Sequence, residues 1–598
     1  MAQSRHYITG IQSDEPTDWE KTEATLEFSK DKLEPTLSFD TLEFTGDTAK
    51  LVISELEKYG YYQGIQYRFE AGDMLDPALV FNGYLDPTQN VEIKACDIIQ
   101  IALKREQGAD WLVEMADSFS FRYLASTEYQ GPGKIQNSDL KAVPYIINYI
   151  PDGVQLILLA ISTFMLTKEL VDSIKSIAKQ TTDLIAGVTP SVGTDVPVGL
   201  STSWNLGKIV ANVLNLAITI AYTVGVIIGL VKLIESIIEE LVPRKRYHLG
   251  MGIKDLALKA CAYLGLTLES DLLDSLDGAN KWTIIPSKGH KGGEPGAGDD
   301  AATWIEQGVP NSSDGIDTFW DLIRFIKTTW NADYKLSDGV FRIEREDYWD
   351  KNSSYIIPNT YNNQDNLRNE YSLNTDELKS NIVLQWDTDL QDQNTLDNQN
   401  GRVYQAVTSV KNVQNPDLVN LKGLERIAIP MSLGVRKDKL TAIEEVLKVF
   451  LQAADFLSGQ LDSPQSFAAQ FSARVGSLHL SSHFLSRPKM VVMAGSKLAL
   501  DQRNIMSAQR LWEGYHFLKS FVTINNENNQ KVIYKEQLID FCPQDFVSLS
   551  GNNFATTETG ERAEITRVVW NIRGNSAIID YNVFRVYDTN LQIKYLSI

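Results

Sequence analysis

Between Lys208 and Lys232 the chain runs for 23 residues, Ile209 to Val231, without one charged side chain. A helix of ~20 residues spans the hydrocarbon layer of a bilayer, so this stretch has the length to cross one. A second uncharged stretch, Gly153 to Thr167, precedes it. The segment between them, Gly187 to Leu200, holds Pro190, Pro197 and three glycines, which break helices and turn chains. The two stretches therefore read as the arms of a helical hairpin, inserted as residues 136–246. The residues expected to carry a membrane-inserting helix are Ile209, Val213, Leu216, Ile220, Val224, Ile227 and Val231. Asn212, Asn215, Thr219, Tyr222 and Thr223 dilute the stretch, however, and a helix apolar all round is equally satisfied when buried among copies of itself. Both readings are compatible with the sequence.

The rest of the chain has the texture of folded α+β domains. At 598 residues and 43% hydrophobic content it is long enough for several cored units of ~100 to 200 residues each. The 56 basic and 77 acidic residues give a net charge of −21, a field that repels nucleic acid and acidic lipid. Tight DNA binding is disfavoured, whereas the wall of a conduit through which DNA only passes is compatible with that charge. Cys96, Cys261 and Cys542 are far apart and odd in number, the pattern of free thiols made in a reducing compartment. Met1 to Glu15 shows no apolar run after a basic start, so no signal peptide is expected and synthesis is assigned to the cytoplasm.

Local patterns place the elements. Leu26 and Phe28, Leu37 and Phe39, and Leu42 and Phe44 alternate with polar residues as half-buried strands do. Gly46 and Asp47 open a helical stretch through Leu51, Val52 and Leu56 to Tyr59, with Gly60 as its C-cap. ALVFNGYLDP, residues 78–87, and NVEIKACDIIQIALKRE, residues 90–106, read as strand, turn, strand and then a helix carrying Ile98, Ile99, Ile101 and Leu103. Residues 252–269 read as a helix and a short strand. Residues 315–344 read as a helix, a strand, an Asp338–Gly339 turn and a returning strand with Val340, Phe341 and Ile343. The glycine-rich segment 286–302 separates these two units as a flexible linker.

In this order of elements the chain resembles the hub proteins of tailed phages and contractile injection systems, the group of late control protein D and the central baseplate hub. ALVFNGYLDP looks like that family's strand-turn-strand pattern, and NVEIKACDIIQIAL is similar to the family's next strand and helix. The helix and hairpin of residues 315–344, with ELKSNIVLQWDTD at 377–389, look like the second module. The likeness covers residues 1–125 and 247–410 and is nearest to tail proteins of phages infecting Bacteroidota; the apolar insertion departs from the pattern.

The resemblance implies a virion tail component, assembled in the host cytoplasm as a homo-oligomeric ring with a trimer favoured. Its partners would be tube, tape-measure or fibre proteins, with DNA passing through without tight binding and the hairpin contacting the host membrane. The fold expected is multidomain α+β: a hub module at 1–135, the insertion at 136–246, a helix-strand module at 247–285, the linker at 286–302, a second hub module with a polar loop at 303–430, and a C-terminal helix plus β-rich domain at 431–598.

The polar loop carries Asp387, Asp389, Asp392, Asn394 and Asp397, a set that suits calcium but lacks EF-hand spacing and reads better as a solvated acidic loop. Asp438 to Phe456 has an amphipathic helical pattern, and Ile565–Ile572, Ala577–Tyr587 and Leu591–Leu596 read as a terminal β-meander. Chemistry-bearing motifs are sparse: there is no GxxxxGK[ST], GxSxG, HExxH or CxxC. His479 and His483 have helical zinc spacing without the further ligands a site needs, and LHLSSHFL also reads as a strand. Trp512, Glu513, Tyr515 and His516 resemble a sugar-stacking or acid/base set but have no second carboxylate to work with. The expectation is a structural protein, with no catalytic residues, cofactor or metal. A pore-forming or membrane-translocating protein is the alternative, and a tail-associated cell-wall hydrolase the reserve.

Overall fold

The computed structural model describes residues 3–147, 246–285, 316–358, 371–373, 381–392, 401–407, 424–440, 466–516 and 530–585, apart from some single positions and short stretches inside these ranges. The membrane-helix candidates Ile209, Val213, Leu216, Ile220, Val224, Ile227 and Val231 lie outside the described residues. So do the linker 286–302, most of the Asp438 to Phe456 pattern and the expected last strand, Leu591 to Leu596.

The architecture is multidomain α+β, with five sheets among the described residues. The first sheet is antiparallel and runs Ile11–Ser13, Gln3–Ile8, Ile65–Asp73, Asp76–Asp86, Ile98–Arg105, Leu42–Thr45, with Glu92–Ile93 beside Ile98–Arg105. Alternation drives it: Ile65, Tyr67, Phe69 and Ala71 point inward along one strand and meet Phe81 and Leu85 of the next. The helix Gly46–Tyr59 covers the sheet with Ala49, Val52 and Leu56 and stops at Gly60, whose φ of 74° suits a residue without Cβ.

One expectation here is corrected. Ile98 to Leu103 is a strand, not a helix, because Ile99 and Ile101 are buried while Gln100 faces the other way and donates to Glu43 Oε2 at 2.7 Å. The next helix starts only at Ala109 and runs Ala109–Asp117. The sheet also curls towards closure: beyond the first edge strand, Thr17 bridges Glu43 of the opposite edge strand. The result is a barrel-like sheet whose two edges approach at this one bridge.

The eight-stranded C-terminal sheet combines both ends of the described chain. Arg562–Asn571 pairs with Ser576–Arg585 on one side and with Glu23–Ser29 on the other, placing Ala24 opposite Trp570. Ala24 and Leu26 share a core with Ile565, Val568 and Trp570, and the same core extends under the first sheet.

A third sheet, of seven strands, runs Ser432–Leu433, Lys489–Ala494, Lys281–Ile285, Arg246–Gly252, Lys141–Ile147, Leu478–Leu480, with Lys497–Leu498 at the side. Lys141–Ile147 and Arg246–Gly252 are antiparallel neighbours, Tyr145 opposite Arg246. The chain thus leaves for the apolar insertion and returns from it on adjacent strands.

The helix and hairpin of the second module form as their pattern predicts. Thr318 and Asp321 make a capping box at the start of helix Phe319–Trp330, and Asn331 ends it in the left-handed conformation. Strands Ala332–Ser337 and Val340–Arg345 come next, with Gly339 at φ 76° between them and Thr267–Glu269 parallel to the second. Strand Asn381–Trp386 lies between Val403–Val407 and Leu424–Ile429 in the fifth sheet. Helix Ile253–Leu264, helix Phe319–Trp330 and these sheets bury one large shared core.

Candidate functional site

The most unusual side-chain cluster sits where the second module meets the seven-stranded sheet. Lys489 opens strand Lys489–Ala494, flanked by buried apolar neighbours, so its side chain has no route to water. The loop that leaves strand Asn381–Trp386 brings two carboxylates to it. Asp392 Oδ2 lies 2.8 Å from Lys489 Nζ and Asp389 Oδ2 lies 3.4 Å away. Ser432 Oγ, on the neighbouring strand, stands 3.3 Å from the same nitrogen. Lys489 and Asp389 are 0% exposed and Asp392 1%. Asp392 Oδ1 accepts both the backbone N–H and the hydroxyl of Ser481, each at 3.0 Å, and Asp389 Oδ1 accepts the Gln391 N–H at 3.0 Å.

Removing an ammonium and two carboxylates from water is costly, and the geometry offsets the cost only because each charged atom meets an opposite charge or a hydrogen bond. The expectation of a solvated acidic loop is corrected here. Asp389 and Asp392 turn inward and grip a lysine, Asp387 pairs with Arg487 at 3.1 Å, and Asn394 and Asp397 lie outside the described residues. The cation that two of these carboxylates hold is the Lys489 ammonium.

The other candidate sets do not converge. His479 lies on strand Leu478–Leu480, opposite Ile146, with its backbone N–H donating to Val435 O; His483 lies outside the described residues. Trp512 is buried and stacks on His516, whose Nε2 is 3.1 Å from Thr329 O. Tyr515 lies under the Arg345 guanidinium, and Glu513 accepts from Gln509 Nε2 at 2.8 Å. This group packs the core and offers no open aromatic platform for a sugar. Cys261 is buried and burial pushes its thiol well up, away from the reactive thiolate; burial also raises that of Cys542.

Surface grooves also lie among the described residues. One of about 410 Å³ lies between the second module and the C-terminal helix Pro543–Gly551, walled by Glu269, Lys335, Arg342, Tyr348 and Asn552. Its guanidinium is engaged internally: Arg342 bonds Glu269 and donates to Tyr348 Oη at 2.9 Å. The other, of about 340 Å³, is lined by Tyr62, Gln66, Tyr84, Thr88 and Lys104 beside Asp86, whose Oδ1 accepts the N–H and hydroxyl of Thr88 and so shapes a turn. Among the described residues no group of three or more His, Cys, Asp or Glu is arranged to hold a metal, and no helix is long and apolar enough to cross a membrane.

No family model and no curated protein matches the chain. Among solved structures, it is similar to the prophage tail protein gp18 from Listeria monocytogenes EGD-e, at 6% identity over 99% of this chain and 96% of that one. The TM-score of that pairing is 0.31, too loose a superposition to carry an argument about this chain.

Proposed function

We propose that the protein is a non-enzymatic structural component of a phage-type injection tail, a baseplate or tail-tip hub that assembles as a ring and joins the tail tube to its tip. The observation that carries this reading is the barrel-like N-terminal module. Its strand Asp76–Asp86 runs unbroken through residues 78–86, where the resemblance implies a strand-turn-strand, so the support comes from the sheet itself, whose edges meet at Thr17 and Glu43. Such modules repeated about an axis leave few exposed strand edges and surround a lumen. A net charge of −21 suits a wall that DNA passes without sticking. The charged side chains buried at the best-formed cluster act as a fastener between segments, a structural use.

In this reading the protein is a homo-oligomer with a trimer favoured, resident in the virion tail after assembly in the host cytoplasm, with tube, tape-measure or fibre proteins as neighbours. Gold-labelled antibody against the chain, imaged on particles by electron microscopy, should mark the distal end of the tail; label confined to heads or absent from particles contradicts the proposal.

The apolar insertion supports a second role. Because it departs from adjacent strands Lys141–Ile147 and Arg246–Gly252, a hairpin there can be presented at one place on the ring to the host envelope. Leakage from liposomes exposed to the full chain tests this, and intact vesicles across pH and lipid composition would remove it. A clearing band in peptidoglycan zymography would overturn the non-enzymatic reading in favour of a cell-wall hydrolase.

A further inference from the structure

We propose that Lys489 and Asp392 become joined by an intramolecular isopeptide bond, with Asp389 as the proton-transferring group. The inference stands on the buried cluster alone and does not depend on the tail reading.

Three features of the cluster go beyond what an ion pair needs. The nucleophile is hydrogen-bonded to the carboxyl that carries its target carbon, with Lys489 Nζ 2.8 Å from Asp392 Oδ2. The other oxygen of the same carboxyl, Asp392 Oδ1, is held by two donors from Ser481, the backbone N–H and the hydroxyl, each at 3.0 Å. That is the arrangement that stabilises negative charge on a carbonyl oxygen when its carbon is attacked. A second carboxylate, Asp389, stands 3.4 Å from the same Nζ on its own side and is fully buried. A lone salt bridge needs neither the paired donors nor the second acid.

A proton passes from the Lys489 ammonium to Asp392 Oδ2, leaving an amine and a carboxylic acid in contact. The amine lone pair attacks Asp392 Cγ, and the electron pair of the C=O bond moves onto Oδ1, between the two Ser481 donors. Asp389 takes a proton from Nζ and delivers it to Oδ2. The Cγ–Oδ2 bond then breaks and Oδ2 leaves as water. One amide bond forms, one carbon–oxygen bond breaks, one water is released, and Asp389 ends as the carboxylate it began as. No oxidant, reductant or cofactor enters. Fixed contact between the reacting groups supplies the high effective concentration that condensation requires, and the product replaces a buried ion pair with a neutral amide.

The consequence is a covalent tie between the loop after Asn381–Trp386 and the strand Lys489–Ala494, closing the chain between residues 392 and 489. Pulling on the second module would then load a covalent bond in place of an ion pair.

Peptide mass spectrometry of the purified full-length protein tests this. The expected result is a branched tryptic species in which residues 380–402 are joined to residues 475–497, with no cleavage after Lys489 and a mass one water below the sum of the two peptides. Fragment ions should put the junction at Asp392. Linear peptides alone, with cleavage after Lys489, overturn the proposal, and a junction at Asp389 overturns the assignment of roles. The variant Asp389→Asn should keep the two peptides separate in protein of unchanged circular dichroism and solution size; an undiminished cross-link in that variant removes Asp389 from the mechanism. Should that variant fail to fold, the wild-type peptides still decide the central point.

Discussion

The backbone N–H of Thr17 donates to the carbonyl oxygen of Glu43 at 2.6 Å, fastening the turn beyond the first edge strand to the strand at the opposite edge of the same sheet. Proline has no N–H, so Thr17→Pro opens this bridge without touching the apolar core. We expect a loss of about 1 to 2 kcal/mol, the range for a hydrogen bond removed where its acceptor stays half-enclosed. Amide hydrogen exchange should speed up in Leu42–Thr45 first; unchanged protection there would mean that the bridge does not hold the sheet closed.

Glu344 reaches from strand Val340–Arg345 to the start of helix Asp271–Leu276, where its two carboxylate oxygens accept the N–H groups of Asp271 at 2.7 Å and Leu272 at 3.0 Å. Burial pushes its carboxyl up, and the two amides pull it back. Glu344→Ala should cost about 2 to 3 kcal/mol, because it leaves buried first-turn donors without their acceptor. A denaturant midpoint within error of wild type would contradict this.

Alkaline sensitivity should come from tyrosines. Burial raises the hydroxyl of Tyr67 well above its ordinary value, with Glu15 adding to the effect, and raises Tyr355 and Tyr581 as well. An acid that is harder to ionise in the folded state keeps its proton there when the unfolded chain has lost it. Stability is therefore unaffected below pH ~10 and declines as pH rises past that ordinary tyrosine value towards the folded one. Tyr67 also shares a 2.7 Å hydrogen bond with His6 Nδ1 in the core. Tyr67→Phe should lower stability at neutral pH yet flatten the decline above pH ~10, as read from denaturant midpoints across pH. A decline as steep as that of wild type would contradict the assignment.

Gly133 combines a φ of +79° with the closest backbone approach in its region: a methyl group there would run into the carbonyl of Lys259 and the amide of Tyr263. Both belong to helix Ile253–Leu264, so there is no flexible side chain to move aside. Gly133→Ala should destabilise by more than about 1 kcal/mol, since strain and clash add. A thermal midpoint equal to wild type would show that the loop can retreat.

How much of the fold is legible in the sequence depends on the range of the interactions. Helix Gly46–Tyr59 and its Gly60 stop, helix Ile253–Leu264, and helix Phe319–Trp330 with its hairpin are written in local spacing and caps, and they form as read. Ile98 to Leu103 misleads because consecutive isoleucines hide the period of two that Gln100 marks only through its partner Glu43. Glu23–Ser29 pairing with Arg562–Asn571 has no local signal at all, since register between distant strands is set by which faces share a core. The fastener at Lys489 escapes for the same reason. Asp389 and Asp392 sit in a loop whose composition says solvent, and Lys489 sits far along the chain behind Arg487 and Pro488. The local signal is a lysine leading directly into the apolar run Met490 to Met493, a place where a charge needs a buried partner.

Whether the proposed tail component forms a ring is decided by the solution mass of the purified full-length protein from light scattering at several concentrations, with cryo-electron microscopy of the same sample. The expected result is a closed ring, a trimer in the favoured case, with an axial opening and with the first sheet facing its neighbours about the axis. A monomer at every concentration that forms rings only when lipid is added would contradict it and would make the apolar insertion, not the barrel-like modules, the working part of the molecule.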